Sequence, residues 1–190
     1  MNTPSFNEVA MKVNPANLIK NLRFSFTNKT TVLAELMQNA RRAQATQVNF
    51  NFCPETKTLQ VSDNGCGIGS IETLLTVAES GWDAELVALE HPFGVGFLSA
   101  LFACRHITVV SRSGRIAVNT DDVLSFKPVT IRPVTDWDRI ASITMVGVEL
   151  ELRETADELK RLACGFPIPV LFNGRKPRQK ACAGFRADLH

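Results

Sequence analysis

The sequence predicts an α+β fold, a two-layer sandwich in which helices cover one face of a mixed, mostly antiparallel sheet. Segments with helical spacing of apolar residues lie early and late in the chain. Between them stands a series of short segments in which apolar and polar residues alternate, as in half-buried strands joined by turns. Helices at both ends of a run of hairpin strands are typical of the α+β class.

Length and composition are those of one globular domain. The 190 residues suffice for a sizeable core, and 45% of them are hydrophobic and 21% charged. The net charge of +2 predicts no strong attraction to nucleic acid or membranes. No stretch has the length of a membrane span or of a signal-peptide core, so we expect a cytoplasmic protein without membrane contact.

The individual elements follow from these patterns. Helices are predicted over 15–24, 28–45, 70–80, 83–89, 94–103 and 155–165. Strands are predicted over 46–53, 58–63, 106–112, 116–119, 129–134, 140–146, 148–153 and 166–172. The helix over 83–89 is polar and is expected to form a lid.

The helix over 28–45, with Thr27 or Asn28 as its N-cap, has two different faces. Its apolar side is formed by Leu33, Leu36, Met37, Ala40 and Ala43. Glu35, Asn39 and Arg42 are neighbours on the opposite side. There, Glu35 could deprotonate a water molecule and the Asn39 side-chain oxygen could bind Mg²⁺, which prefers oxygen ligands. The alternative is an ordinary solvated helix face.

A glycine turn follows the strand over 58–63. Gly65 and Gly67 allow a tight turn and the close approach of a ligand to the backbone. Asp63 stands at the start of this turn, where its carboxylate can accept a hydrogen bond from an exocyclic amine such as that of adenine. The alternative is a plain Asn-Gly hairpin turn in which Asp63 caps the loop.

A second glycine-rich stretch opens the apolar helix over 94–103. Gly94 and Gly96 precede its first turn, where free N–H groups and the helix dipole favour an anion. A dinucleotide fingerprint is a weak interpretation, because Ser99 replaces its third glycine and no strand precedes the stretch.

In this order, the three stretches resemble the motifs of the GHKL ATPases, whose domain is called the Bergerat fold. Within that superfamily the chain is most similar to the N-terminal ATPase domain of the ninety-kilodalton heat-shock chaperones, because the amino-acid sequence around 93–111 resembles theirs. The amino-acid sequence of the glycine turn also resembles that of the MutL proteins. The likeness covers about 14–174, which predicts an ATP-binding domain over 1–174 and a basic tail or linker over 175–190.

The resemblance implies ATP or ADP and Mg²⁺ as cofactors. Glu35 would be the general base for water attack on the γ-phosphate, and Asn39 would bind Mg²⁺ and phosphate. Asp63 would contact the adenine amine, with Gly67 beside the base. The second motif also includes Gly65 and Ile68. Main-chain N–H groups would contact the phosphates from Gly94, Val95, Gly96 and Phe97.

Three departures from the family pattern bear on turnover. Glu79 stands where the chaperones carry a lysine, and Gly147 and Val148 stand in place of a Gly-Thr pair whose threonine supports the adenine contact. The lid between Gly81 and Phe93 is short, and lids exclude water from such sites.

Three functions are therefore compatible with the sequence. The first is slow Mg²⁺-dependent ATP hydrolysis that drives a chaperone-like clamp, with a second copy of the chain and a client protein as partners. The second is the ATPase head of a DNA-handling protein similar to MutL or the topoisomerases, which the sequence of the glycine turn and the basic tail favour, although the net charge is small. The third is a nucleotide-binding module without turnover. Further domains would be needed for full activity.

The cysteines indicate neither a zinc site nor a disulfide framework, because none of the five forms a Cys-x-x-Cys pair. Cys53, Cys104 and Cys164 are predicted to fill the core, whereas Cys66 lies in the glycine turn.

Overall fold

The structure is a computed structural model that describes residues 10, 12, 14–26, 28–76 and 96–177. The predicted lid, Glu79, Gly94, Val95 and the chain beyond 177 lie outside the described residues.

The described part contains helices and strands in the predicted alternation. The α-helices are α1 (Pro15–Leu22), α2 (Thr31–Arg42), α3 (Ile71–Leu74), α4 (Gly96–Ala103), α5 (Thr120–Leu124) and α6 (Leu152–Leu162). The strands are β1 (Val48–Cys53), β2 (Thr58–Asp63), β3 (His106–Ser111), β4 (Gly114–Asn119), β5 (Ala141–Val146) and β6 (Val170–Phe172). The short helix α5 was not predicted.

One six-stranded sheet organises the domain, in the order β4-β3-β5-β2-β1-β6. Neighbouring strands are antiparallel except β1 and β6, which are parallel. Because β2 and β3 are both antiparallel to β5, they run in the same direction and end at the same edge, at Asp63 and Ser111. The predicted mixed, mostly antiparallel sheet is confirmed.

The two faces of the sheet differ in polarity, as the alternation predicts. The inner face is apolar and buried, with Val48, Phe50, Phe52, Leu59, Val61, Ile107, Val109, Ile116 and Met145. The apolar side of α2 is also buried in this core, through Val32, Leu33, Leu36, Met37 and Ala40. The outer face carries half-buried or exposed residues such as Asn51, Gln60, Thr108 and Arg115. This confirms the two-layer sandwich.

Two of the predicted strands are wrong. The segment 129–134 makes only an isolated bridge between Arg132 and Arg115; Pro133 has no N–H for a ladder. In 148–153, Val148 and Leu150 are buried as the alternation indicates. This segment nevertheless forms no strand, because the chain turns at Gly147, whose φ is +78°.

Two smaller corrections concern a helix start and a thiol. Helix α2 begins at Thr31, because the Asn28 side chain accepts hydrogen bonds from the N–H and hydroxyl of Thr30 and closes a turn before the helix. Cys164 is exposed and does not fill the core, whereas Cys104 is buried and its thiol donates to the carbonyl of Ala100.

Candidate functional site

Asp63 is the last residue of β2 and lies half-buried at the sheet edge. Its Oδ1 accepts a hydrogen bond from Gly65 N at 2.9 Å. In the described part of the chain, its second carboxylate oxygen has no hydrogen-bond partner. Burial raises the pKa of Asp63 above its ordinary value, and the Gly65 N–H partly opposes that shift. A half-buried carboxylate with a free acceptor oxygen is suited to bind an amine donor.

The glycine turn is fixed to the end of α2. A Cβ atom added at Gly65 would lie 2.4 Å from the carbonyl oxygen of Ala43, so no side chain fits there. The same carbonyl accepts a hydrogen bond from Cys66 N at 2.8 Å. Gly65 is therefore required by the close approach of two backbone segments, which places the turn beside the helix that carries Glu35 and Asn39.

Two residues that the sequence analysis did not single out hold the other side of the turn. Gly67 has a φ of +71°, and a Cβ atom added there would lie 2.8 Å from both Ser111 Oγ and the indole ring of Trp137. Ser111 is fully buried, and its Oγ accepts a hydrogen bond from Ile68 N at 2.8 Å. The backbone N–H of Ile68 is thus already used, which leaves its side chain for a ligand.

Glu35 and Asn39 lie half-buried on one face of α2, one turn apart. A Cβ atom added at Gly96 would lie 2.7 Å from Glu35 Oε2, so the first residue of α4 touches the Glu35 carboxylate. The Phe97 side chain is part of the core, which leaves its main chain for a ligand. N–H groups in the first turn of a helix have no intrahelical partner. The Glu35 carboxylate thus lies at the start of α4.

These contacts place the three motifs in a row along α2. The glycine turn packs at Ala43 and Gly96 packs at Glu35, eight residues earlier, which is about 12 Å along a helix at 1.5 Å per residue. The structure brings together eight of the predicted site residues, Glu35, Asn39, Asp63, Gly65, Gly67, Ile68, Gly96 and Phe97. Gly94 and Val95 lie outside the described residues. The spacing of the motifs along α2 matches an extended ligand with a base at one end and phosphates at the other.

Asn39 is suited to share a metal ion with a ligand. In the part of the chain that the structure describes, its Oδ1 accepts one long hydrogen bond, 3.4 Å, from Arg42 Nη1. Among the described residues, no group of three or more His, Cys, Asp or Glu side chains could hold a metal ion. Mg²⁺ is commonly held by one or two protein oxygens together with phosphates and water. The residues present therefore fit Mg²⁺ bound together with a nucleotide.

The interpretation of Gly147 and Val148 as the family's Gly-Thr pair needs correction. Asp63 pairs with Ala141 at the start of β5, whereas Val146 pairs with Thr58 at the opposite end of the strands. Val148 follows Val146 and is therefore remote from Asp63. The β5 residue beside Asp63 is Ala141, and the buried hydroxyl nearby is that of Ser111, contributed by β3.

Two surface clefts lie away from these motifs. One, of about 190 Å³, lies around Thr31 and the Lys29–Glu149 ion pair. The other, of about 500 Å³, lies beside β4. Neither is lined by a motif residue. The segment that the resemblance assigns to the lid lies outside the described residues. No helix in the described part is long and apolar enough to cross a membrane.

Residues 25–140 match the family model described as histidine kinase-, DNA gyrase B-, and HSP90-like ATPase. The chain is also similar to proteins named chaperone protein HtpG. It is 29% identical to that of Serratia proteamaculans over 167 residues and 30% identical to that of Pectobacterium atrosepticum over 169 residues. Each match covers 70% of this chain and 26% of the relative.

The chain thus spans about a quarter of the length of these relatives. The matched part, 70% of 190 residues, is also shorter than the 167-residue alignment. The relatives therefore carry residues within the matched region that this chain lacks.

Proposed function

This chain belongs to the family of histidine kinase-, DNA gyrase B- and HSP90-like ATPases, and we propose that the three motifs along α2 form its ATP site. The observation that carries the proposal is the pair of contacts on that helix. The Asp63 turn packs against Ala43, and Gly96 packs against Glu35. An ATP molecule lying along α2 places its adenine at the turn and its phosphates at the start of α4.

Adenine recognition rests on Asp63. Its free oxygen accepts a hydrogen bond from the exocyclic amine, while Gly65 N holds the other oxygen in place. Gly67 gives the turn its left-handed conformation beside the base and is packed against Ser111 Oγ and the Trp137 ring. The Ile68 side chain supplies apolar contact, since its N–H is bound to Ser111. This recognition requires the charged form of Asp63.

Hydrolysis rests on Glu35 and Asn39. Glu35 accepts a proton from the attacking water, and Asn39 offers its Oδ1 to Mg²⁺ and donates from its Nδ2 to a phosphate oxygen. When bound, Mg²⁺ neutralises charge that develops on the phosphate oxygens. The N–H groups of Gly96 and Phe97 bind phosphate oxygen at the positive end of α4. Arg42 Nη1 lies 3.4 Å from Asn39 Oδ1 and places a cation at this end of the site. Slow turnover is expected, because further domains are needed for full activity.

A substitution of Glu35 tests this proposal, because it separates ATP binding from ATP hydrolysis. Glu35→Gln keeps the shape of the side chain and removes the base, so hydrolysis should fall by roughly 10²–10⁴, while ATP affinity measured by calorimetry stays within about threefold. Glu149→Gln, an exposed carboxylate paired with Lys29, is the control and should keep both. Binding without hydrolysis by the wild type would indicate a nucleotide-binding module without turnover. Absence of binding would overturn the proposal.

The similarity to HtpG chaperones favours a chaperone-like clamp as the cellular role. In this proposal, residues 1–174 form the ATP-binding domain, a further domain follows 175–190, and ATP closes a dimer of the full-length protein on a client. Light scattering of the full-length protein should show dimers that change shape with a non-hydrolysable ATP analogue. Monomers in all nucleotide states would contradict the clamp. DNA affinity that falls with salt would favour the DNA-handling alternative.

A further inference from the structure

The 500 Å³ cleft beside β4 is remote from the three motifs. It lies on the outer face of the sheet, between strands β3 and β4 and the segment 127–132. Its lining residues include His106, Arg115, Ala117, Asn119, Lys127 and Arg132. We refer to it as the β4 cleft. Its volume lies in the range of small-molecule sites, roughly 300–1,000 Å³.

Two arginines, Arg115 and Arg132, lie side by side in this cleft. Arg115 N donates to Arg132 O at 2.8 Å and Arg132 N donates to Arg115 O at 2.9 Å. In such an antiparallel pair the two side chains leave the same face, with Cβ atoms about 5 Å apart. Like charges placed directly opposite each other destabilise a strand pair. This pairing therefore places two positive charges together at a cost to folding.

No acidic side chain in the described part of the chain compensates these charges. Neither guanidinium group has an ion-pair partner among the described residues. The carboxylate that lines the cleft, Asp122, is already paired with Lys127 at 2.6 Å. Two guanidinium groups that repel each other and lie on one cleft are a preformed receptor for a dianion, whose binding removes the repulsion.

We propose that the β4 cleft binds a small phosphate-bearing ligand, with the phosphate between Arg115 and Arg132. A phosphate monoester carries close to two negative charges at neutral pH and matches the two guanidinium forks, each of which binds phosphate oxygens in pairs. The rest of the ligand lies along the strand over Ala117, whose small side chain leaves space.

The far end of the cleft is polar, and a polar ligand group there replaces a hydrogen bond between two protein side chains. His106 Nδ1 and Asn119 Oδ1 lie 3.3 Å apart there. Asn119 is four residues from Arg115 on β4, which is about 13 Å along a strand. The ligand class is therefore an elongated phosphate monoester with a polar group at its other end.

The test is a titration of the protein with inorganic phosphate, followed residue by residue through backbone amide NMR. Saturable shifts are expected at β4 and 127–132. Arg115→Gln and Arg132→Gln should each weaken binding by about tenfold or more, the loss of a charge-assisted contact. Arg153→Gln, at an exposed position on α6, is the matched control and should leave the affinity unchanged.

The same spectra locate any competing site and report folding of each variant. Shifts confined to the start of α4, with none at β4, would overturn the proposal. Equal weakening by Arg153→Gln would reduce the effect to general surface charge and would also overturn it. Succinate, a dianion without phosphate geometry, should bind at least about tenfold more weakly; equal binding would contradict the assignment to phosphate.

Discussion

The two ends of the candidate ATP site are built in different ways. At the adenine end, the glycine turn is held by the Ala43 backbone carbonyl, the buried Ser111 hydroxyl and the half-buried Trp137 ring. At the phosphate end, the contacts involve the tips of side chains. Glu35 Oε2 lies against Gly96, and Asn39 accepts a long hydrogen bond from Arg42.

This difference indicates a division of roles. Backbone contacts in a packed turn leave little freedom, so the adenine end is preformed and selects the ligand. Flexible side chains can move when phosphates and Mg²⁺ arrive, so the phosphate end is completed by the ligand. Substitutions at the first end should therefore affect stability, whereas substitutions at the second end should affect turnover.

Gly96→Ala should give the largest effect on turnover. The added Cβ would lie 2.7 Å from Glu35 Oε2, the mobile tip of a side chain that can shift. We expect hydrolysis to fall by about 100-fold because a catalytic group misplaced by about 1 Å has that effect. The melting temperature should stay unchanged or rise, since alanine favours a helix over glycine. A large loss of stability with normal turnover per folded molecule would contradict the assignment of turnover effects to the phosphate end.

Gly65→Ala should show the opposite pattern. Its Cβ would lie 2.4 Å from the Ala43 carbonyl oxygen, which is backbone and cannot move aside cheaply. We expect a loss of about 1–3 kcal/mol in the free energy of unfolding, measured by denaturant titration. Gly69→Ala is the matched control, because the nearest atom there is the tip of the Arg112 side chain at 3.4 Å. Equal effects of the two substitutions would show that the turn is not packed as described.

Ser111→Ala tests the buried hydroxyl. The substitution leaves Ile68 N without its partner, which should cost about 1–3 kcal/mol of stability. ATP affinity should fall with it, because Ile68 borders the base, while Ser113→Ala should preserve affinity. Thermal melts with and without ATP separate the two effects. Unchanged stability in Ser111→Ala would contradict the role of the Ser111 hydroxyl in holding the glycine turn.

The smallest expected effect is the pH dependence at Asp63. Burial raises the pKa of this carboxyl above the ordinary value of 3.8, so the folded state holds its proton more tightly than the unfolded state does. The ionised group therefore costs stability, and that cost appears as pH rises through the raised pKa. Asp63→Asn should raise the melting temperature at pH 7 and change it less at pH 4. A gain that grows towards low pH would contradict this sign.

Much of the fold was predictable, because alternation and helical spacing report burial directly. The β1–β2 hairpin, the buried side of α2 and the two-layer class were confirmed. Burial alone does not decide backbone shape, however. Val148 and Leu150 are buried but lie in no strand, because the turn at Gly147 removes them from the sheet.

The candidate site was predictable where a motif is local in sequence. The glycine turn and α2 each gave a signal within a few residues. Ser111 and Trp137 gave none, because only the tertiary fold brings them to Gly67. Ser111 ends β3 at the same edge as β2, and Trp137 lies in the segment that leads into β5. The same limit misplaced the family's adenine-supporting threonine position at Val148, since register and not sequence spacing decides which residue faces Asp63.

Calorimetric titration of ATP and Mg²⁺ into the wild type and Asp63→Asn tests the central claim most directly. The wild type should bind in the micromolar range. Asp63→Asn keeps the contact with Gly65 N but loses the charged acceptor, so its affinity should fall by at least about tenfold while its stability does not fall. Equal ATP affinities of the two proteins, or no binding by the wild type, would contradict the assignment of this edge of the sheet as an ATP site.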